Sequence, residues 1–228
     1  MRPVLLLVAA LAIAAPAQAQ AQAQETLLRL SESAERTVRA DELRATLRAQ
    51  ATGTSAAAVQ QAVNRQMAAA LERARAIAGI TVATGSYWSW RSGERGQTWT
   101  ASQELRLSAI EAAPALLELV GTLQGQGMLI GALAYEVSAP LARQTRDEVT
   151  EEALAGLRAR AERLASALDM RFTGFREVRV DAPRHMPPPM PRMAAAARAD
   201  AAPPPPSAEP AEVPISATVE GDAVLGPR

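Results

Sequence analysis

The chain has 228 residues, equal numbers of acidic and basic side chains (24 of each), one histidine and no cysteine. Disulfides, thiolate chemistry and Cys-based metal sites are therefore excluded. A balanced charge gives no electrostatic reason to expect nucleic acid, so no nucleic-acid partner is expected. Every basic residue is Arg.

The N-terminus reads as an export signal. Arg2 is a short positive region, and Val4–Ala15 is an apolar run of signal-peptide length, too short to span a bilayer. "APAQAQAQAQ" then offers small-x-small cleavage sites, with the cut expected after Ala19. Residues 1–19 are assigned to the signal peptide, and no transmembrane segment is expected after cleavage. The protein is expected in the periplasm, with outer-membrane association as the variant of that reading. Residues 20–182 suffice for one domain or two small lobes.

Leu28 and Leu30 suggest a short strand. Leu43, Ala45, Leu47, Ala49 and Ala51 alternate with polar residues, which is the period of a half-buried strand. Thr54 or Ser55 can cap the helix that follows. Its apolar face runs Val59, Val63, Met67, Ala70, Leu71, Ala74 and Ile77, and Gly79 closes it. Strands are expected over 80–91 and 97–108, a short helix over 111–123 with Pro114 in its first turn, and a strand from Leu129 to Val137 closed by Pro140. A long helix over 143–168 shows Val149, Ala153, Leu157, Ala161, Leu164 and Leu168 on one face, and a strand follows over 172–180. Residues 183–212 are too rich in Pro and Ala to pack a core and read as a flexible loop. Val213, Ile215, Ala217 and Val219 then alternate as a final strand within 213–228. The expected fold class is α+β with largely antiparallel sheet, two long helices and one short one, and a protruding β-hairpin.

All three tryptophans and one of the two tyrosines fall within "GSYWSWRSGERGQTWTAS". If Gly93-Glu94 is a two-residue turn, Trp88 faces Trp99, Val82 faces Leu105, Ile80 faces Leu107 and Trp90 faces Gln97. All the large apolar residues then share one face, unless a bulge at Gly85 breaks the parity. Strands of this length make a ribbon of about 40 Å whose tryptophan end projects past the helices. The rings then either stabilise the long hairpin, anchor a subunit interface, or contact lipid or peptidoglycan. Tyr87, Trp88, Trp90 and Trp99 are the interface candidates.

No catalytic constellation is apparent. The lone His185 sits in the Pro-rich loop, so a hydrolytic triad has no base, and no Gly-rich phosphate or dinucleotide motif occurs. "DEVTEE" (Asp147–Glu152) offers carboxylates to a hard cation but reads more simply as a solvated, acid-rich helix start. "HMPPPMPRM" brings together His185, Met186, Met190 and Met193, imidazole and thioether groups suited to Cu(I). Against that reading, a Pro-rich loop supplies nothing to orient the ligands. The same loop also has the composition of a polyproline ligand.

Several segments, in order, resemble one family. "LSESAERTVRADELRATLRAQATGTSAAAV" is similar to the opening strand pair and helix start of the SIMPL-domain family. Val38 and Asp41 fall on its V-x-x-x-P-D motif, with Ala40 in place of Pro. "WTASQELRL" and "IGALAYEVSAP" resemble two of its strands, with Trp99 and Tyr135 in aromatic positions. "EALAGLRARAERLASALDMRFTGFREVRV" resembles its Ala-rich helix and the next strand, with Asp169 where the family has Gly. The late Pro-rich loop and "VPISATVEGDAVL" resemble the family's ending. The likeness covers nearly all of the expected mature chain. It implies an exported α+β protein of the bacterial envelope, of unknown biochemical function. Members are thought to oligomerise and are linked to envelope or oxidative stress, and eukaryotic members bind a signalling kinase. The family offers no catalytic residues to carry over. The expectation is a non-enzymatic, homo-oligomeric scaffold or interaction protein of the cell envelope, with an envelope protein as a further partner and no cofactor. The alternative is a periplasmic copper or metal carrier using the Met-rich loop.

Overall fold

A computed structural model describes residues 25–92, 97–180 and 207–228. The signal segment, the Gly93-Glu94 turn and the His185/Met186/Met190/Met193 cluster lie outside the described residues. In chain order the elements are β1 (Thr26–Arg39), β2 (Glu42–Gly53), α1 (Ala56–Arg75), β3 (Thr81–Ser92), β4 (Thr98–Ala109), α2 (Ala113–Gly125), β5 (Leu129–Glu136), α3 (Ala139–Ala167), β6 (Met170–Val180) and β7 (Glu212–Pro227). The fold is α+β, as the patterning predicts, and every strand pair is antiparallel.

The strands form two sheets rather than one. β2 to β5 make a four-stranded sheet in the order β3-β4-β2-β5, while β1, β7 and β6 make a three-stranded sheet with β7 central. Alternation explains both. The odd residues of β2 from Leu43 to Ala49 are all buried, as are Leu105, Leu107 and Ala109 of β4. They face Val59, Val63 and Met67 of α1 and Leu116, Val120 and Leu123 of α2 in one continuous core. In the other sheet Ile215, Ala217, Val219, Ala223 and Leu225 of β7 are buried. α3 lies across them through Val149, Ala153, Leu157 and Ala161. The four-residue step of that helix face continues to Ala165, so Leu168 is 54% exposed at its cap instead of buried.

Local chemistry sets the element ends. Ser55 caps α1 by accepting from the Ala58 N–H. The helix stops at Ala76, and Gly79 takes its positive φ of 81° in the turn beyond rather than at the cap. α3 begins before the predicted 143: Ser138 caps it, and Pro140 sits in its first turn instead of closing β5. Asp169, where the resembling family has Gly, holds φ 54°, the left-handed region an Asp enters more readily than most residues. β1 is far longer than Leu28 and Leu30 suggest. Its inward residues include Glu32, whose carboxylate bonds Arg160 of α3 at 3.1 Å, so the polar residue does not break the strand.

Among the described residues, no helix or strand of the four-stranded lobe packs against one of the three-stranded lobe. The chain crosses between them twice, at Arg39–Glu42 and at Glu136–Ala139. The crossings are tied together. The Asp41 carboxylate accepts the Ser138 N–H and the Ser138 hydroxyl, each at 2.7 Å. The Asp41 N–H donates to the Glu136 carbonyl at 3.1 Å, and the Ala40 N–H to the Ala211 carbonyl at 2.9 Å. No helix among the described residues is long and apolar enough to cross a membrane.

Candidate functional site

Among the described residues, the helices cover one face of the four-stranded sheet and no helix lies on the other, here called the bare face. The bare face is built from even-numbered residues of β2 and β4, since their odd-numbered partners fill the core. It is on this face that the aromatic hairpin differs from its expected arrangement.

At its base the hairpin pairs Val82 with Leu107 and Thr84 with Leu105, not Val82 with Leu105. Between Thr84 and Tyr87 the register then shifts through a bulge at Gly85-Ser86. Beyond it Trp88 pairs with Ser102, Trp90 with Thr100, and Arg91 with Trp99. One extra residue exchanges the two faces of a strand. Trp88 and Trp90 therefore stand on the bare face, while Trp99 points the other way and packs against the helix-side core. The expectation that the three indoles share a face is overturned. The Trp99 ring instead receives the Arg91 guanidinium, 5.1 Å from its centroid. Tyr87 lies on the Trp99 side and is 40% exposed.

Glycine is required at position 85 by close approach. A Cβ there would lie 2.5 Å from Glu104 Oε2 and 2.7 Å from the Glu104 Cβ. Glu104 is held in place by Arg106 at 3.0 Å.

The outcome is two large rings, Trp88 at 47% and Trp90 at 44% exposure, at one end of an uncovered sheet face. Their cross-strand partners are buried polar residues. Ser102 is 1% exposed, and its hydroxyl has no hydrogen-bond partner among the described residues. The same is true of the buried Nε of Arg48 on the adjacent strand. Toward the other end of the face lies a trough of about 310 Å³. Arg44 stands beside it, bonded to Glu42 at 2.8 Å and Glu136 at 3.0 Å. The Glu42 hydrogen bond, helped by the charge of both acids, raises the Arg44 guanidinium above its ordinary value. The small residues of that trough went unnoticed in the sequence, although Ala132 and Ala134 occupy the parity opposite to the core-facing Leu133 and Tyr135.

No group of His, Asp and Glu able to hold a metal ion occurs among the described residues. Asp147–Glu152 lie inside α3, which starts at Ala139, and not at a helix start; Glu148 and Glu152 both face Arg36 of β1, an arrangement of ion pairs between helix and sheet.

An α+β protein of two antiparallel sheets, each carrying helix on one face, with an aromatic hairpin on the bare side of the larger sheet, is the class these features define. Residues 28–222 match the SIMPL family, described as a protein of unknown function (DUF541), and the chain belongs to that family. No match is found among the curated proteins.

Proposed function

We propose that this is a non-enzymatic, exported protein of the cell envelope that acts by self-association, with Trp88 and Trp90 as its anchors. The single observation that carries the reading is the pair of half-exposed indoles on a sheet face that no helix among the described residues covers. Large neighbouring rings exposed to water mark interaction surfaces, and Trp is the residue most enriched among interface anchors. Trp99 belongs to the lobe's own core and is no longer an anchor. Tyr87, on the opposite face, is at most a rim contact. The N-terminal pattern of Arg2, an apolar run and Ala-x-Ala sites supports export to the periplasm.

The test is the mass of the native protein across a concentration series. Trp88→Ala/Trp90→Ala should shift an oligomer toward monomer while its far-ultraviolet circular dichroism stays unchanged. With Trp88 47% and Trp90 44% exposed, covering each removes roughly half of the ~150–250 Å² an aromatic side chain can bury, so the pair is worth about 3–6 kcal/mol to association. A wild type that remains monomeric at high concentration would refute the reading. Fractionation of cells, with terminal sequencing of the mature chain, tests the location.

A further inference from the structure

Where the indoles of one copy go is answered by the opposite end of the same face, and the answer rests on the self-association proposed above. The two ends differ in shape. At one end Trp88 and Trp90 stand up from β3. At the other, Thr46, Thr81, Ala83, Ser108, Ala132 and Ala134 are all small, and they line the trough of about 310 Å³. Ser102, beside Trp88, and Ser108, in the trough, are well separated along β4. At ~3.3 Å per residue the distance is about 20 Å, too far for a chain's own indoles to fill its own trough. A knob and a hollow at opposite ends of one face are what a two-fold interface needs. Each patch of one copy meets a different patch of the other, and the reciprocal contact follows by symmetry.

We infer that the bare face of the four-stranded sheet docks onto the same face of a second copy, with Trp88 and Trp90 of each seated in the trough of the other. The two-fold axis lies between the faces and runs across the strands. Charge and area agree with this occupant. Over the whole face Arg44, Arg48 and Arg106 are balanced by Glu42, Glu104 and Glu136, so laying face on face buries no net charge. Arg44 and Arg106 at the trough are already neutralised by Glu42, Glu136 and Glu104. Four strands ~4.8 Å apart and about 40 Å long make a face of roughly 700 Å² per copy, close to the ~800 Å² per partner of a standard interface.

The chain has no cysteine, so introduced ones report contacts without background. Trp90→Cys keeps Trp88, and Ala83 is exposed, so Ala83→Cys costs the fold little. A mixture of these two variants, differently tagged and mildly oxidised, should give the mixed disulfide in preference to either homodisulfide. A second arm fills the trough. Thr81→Tyr places a ring at an exposed strand position of β3, under the partner's indoles, and should weaken self-association at least tenfold, with circular dichroism unchanged. Preferential disulfide formation by Trp90→Cys with itself would mean that the indoles meet tip to tip, and it overturns the inference. Undiminished association of Thr81→Tyr, alongside dissociation of Trp88→Ala/Trp90→Ala, also overturns it but leaves the proposed self-association standing. A monomeric wild type removes both.

Discussion

The junction between the lobes should be the most sensitive polar point in the molecule, and Asp41→Ala tests it. The Asp41 carboxylate accepts two 2.7 Å hydrogen bonds from Ser138, which is 2% exposed and caps α3. A hydrogen bond to a charged group contributes about 1.5–3 kcal/mol, and a buried donor left unpaired costs a similar amount. Both bonds share one acceptor and one residue, so they are not additive, and the loss should be about 2–4 kcal/mol. At roughly 2–4 °C per kcal/mol for a chain of this size, the midpoint falls by about 5–12 °C. Asp41→Asn keeps an acceptor for the Ser138 N–H and should lose about 1 kcal/mol. Two probes separate the lobes. Every Trp and Tyr lies in the four-stranded lobe, whereas the longest helix, α3, belongs to the other. Loss of the α3 cap should therefore lower the circular-dichroism midpoint more than the tryptophan-fluorescence midpoint. An Asp41→Ala variant within about 0.5 kcal/mol of wild type by both probes would refute the junction argument.

Two further outcomes test the smaller lobe. Gly221→Ala would set a Cβ 3.0 Å from both Leu157 Cδ2 and Phe175 Cδ1, so it should destabilise by about 1–3 kcal/mol through overpacking, read by urea titration. Asp222 on the solvent side of β7 bonds Arg29 at 2.9 Å, and that hydrogen bond lowers its pKa below the ordinary 3.8. A depressed carboxyl contributes stability that is complete above its unfolded pKa and disappears as pH falls through its folded one. Asp222→Asn should therefore be less stable than wild type at neutral pH and equal to it near pH 2, with the difference shrinking in salt because the pair is exposed.

The sequence revealed which residues are buried more readily than which strands are neighbours. Helix faces were legible because their apolar steps are long: the α1 face from Val59 to Ala74 and the α3 face from Val149 to Ala161 are buried as the spacing predicts. The division into two sheets was not legible. Alternation marks a face, but it carries no information on pairing, and β1 and β2 join different sheets although only Ala40 and Asp41 separate them. β1 runs beyond its apolar residues because Glu32 and Arg36 face α3, where Arg160, Glu148 and Glu152 meet them. Their ion pairs replace the apolar signal. Pro140 fits the end of a strand, but the Ser-Ala-Pro order equally fits the helix start it makes. At the hairpin the sequence identified the aromatic residues and Gly85 as the place where a bulge would break the parity, but not that the bulge forms, since that depends on cross-strand contacts.

That inserted residue decides whether two indoles are core or surface. The base of the hairpin pairs Val82 with Leu107, on the helix side of the sheet. Carried on without interruption, the same register would place Trp88 opposite Ala101 and Trp90 opposite Trp99, both on that helix side. The bulge at Gly85-Ser86 turns them outward instead, opposite Ser102 and Thr100. Gly85 makes the turn feasible by passing over Glu104 where no Cβ fits. Deletion of Ser86 removes the extra residue and should restore one continuous register. Both indoles would then swing to the helix side, tryptophan emission would shift to the blue, and the self-association proposed for Trp88 and Trp90 would be lost. Loss of association with unchanged emission would mean that the hairpin had frayed rather than re-registered. Unchanged emission with association intact would show that the bulge does not govern the exposure of the rings, and the link from Gly85 to the docking face would fail.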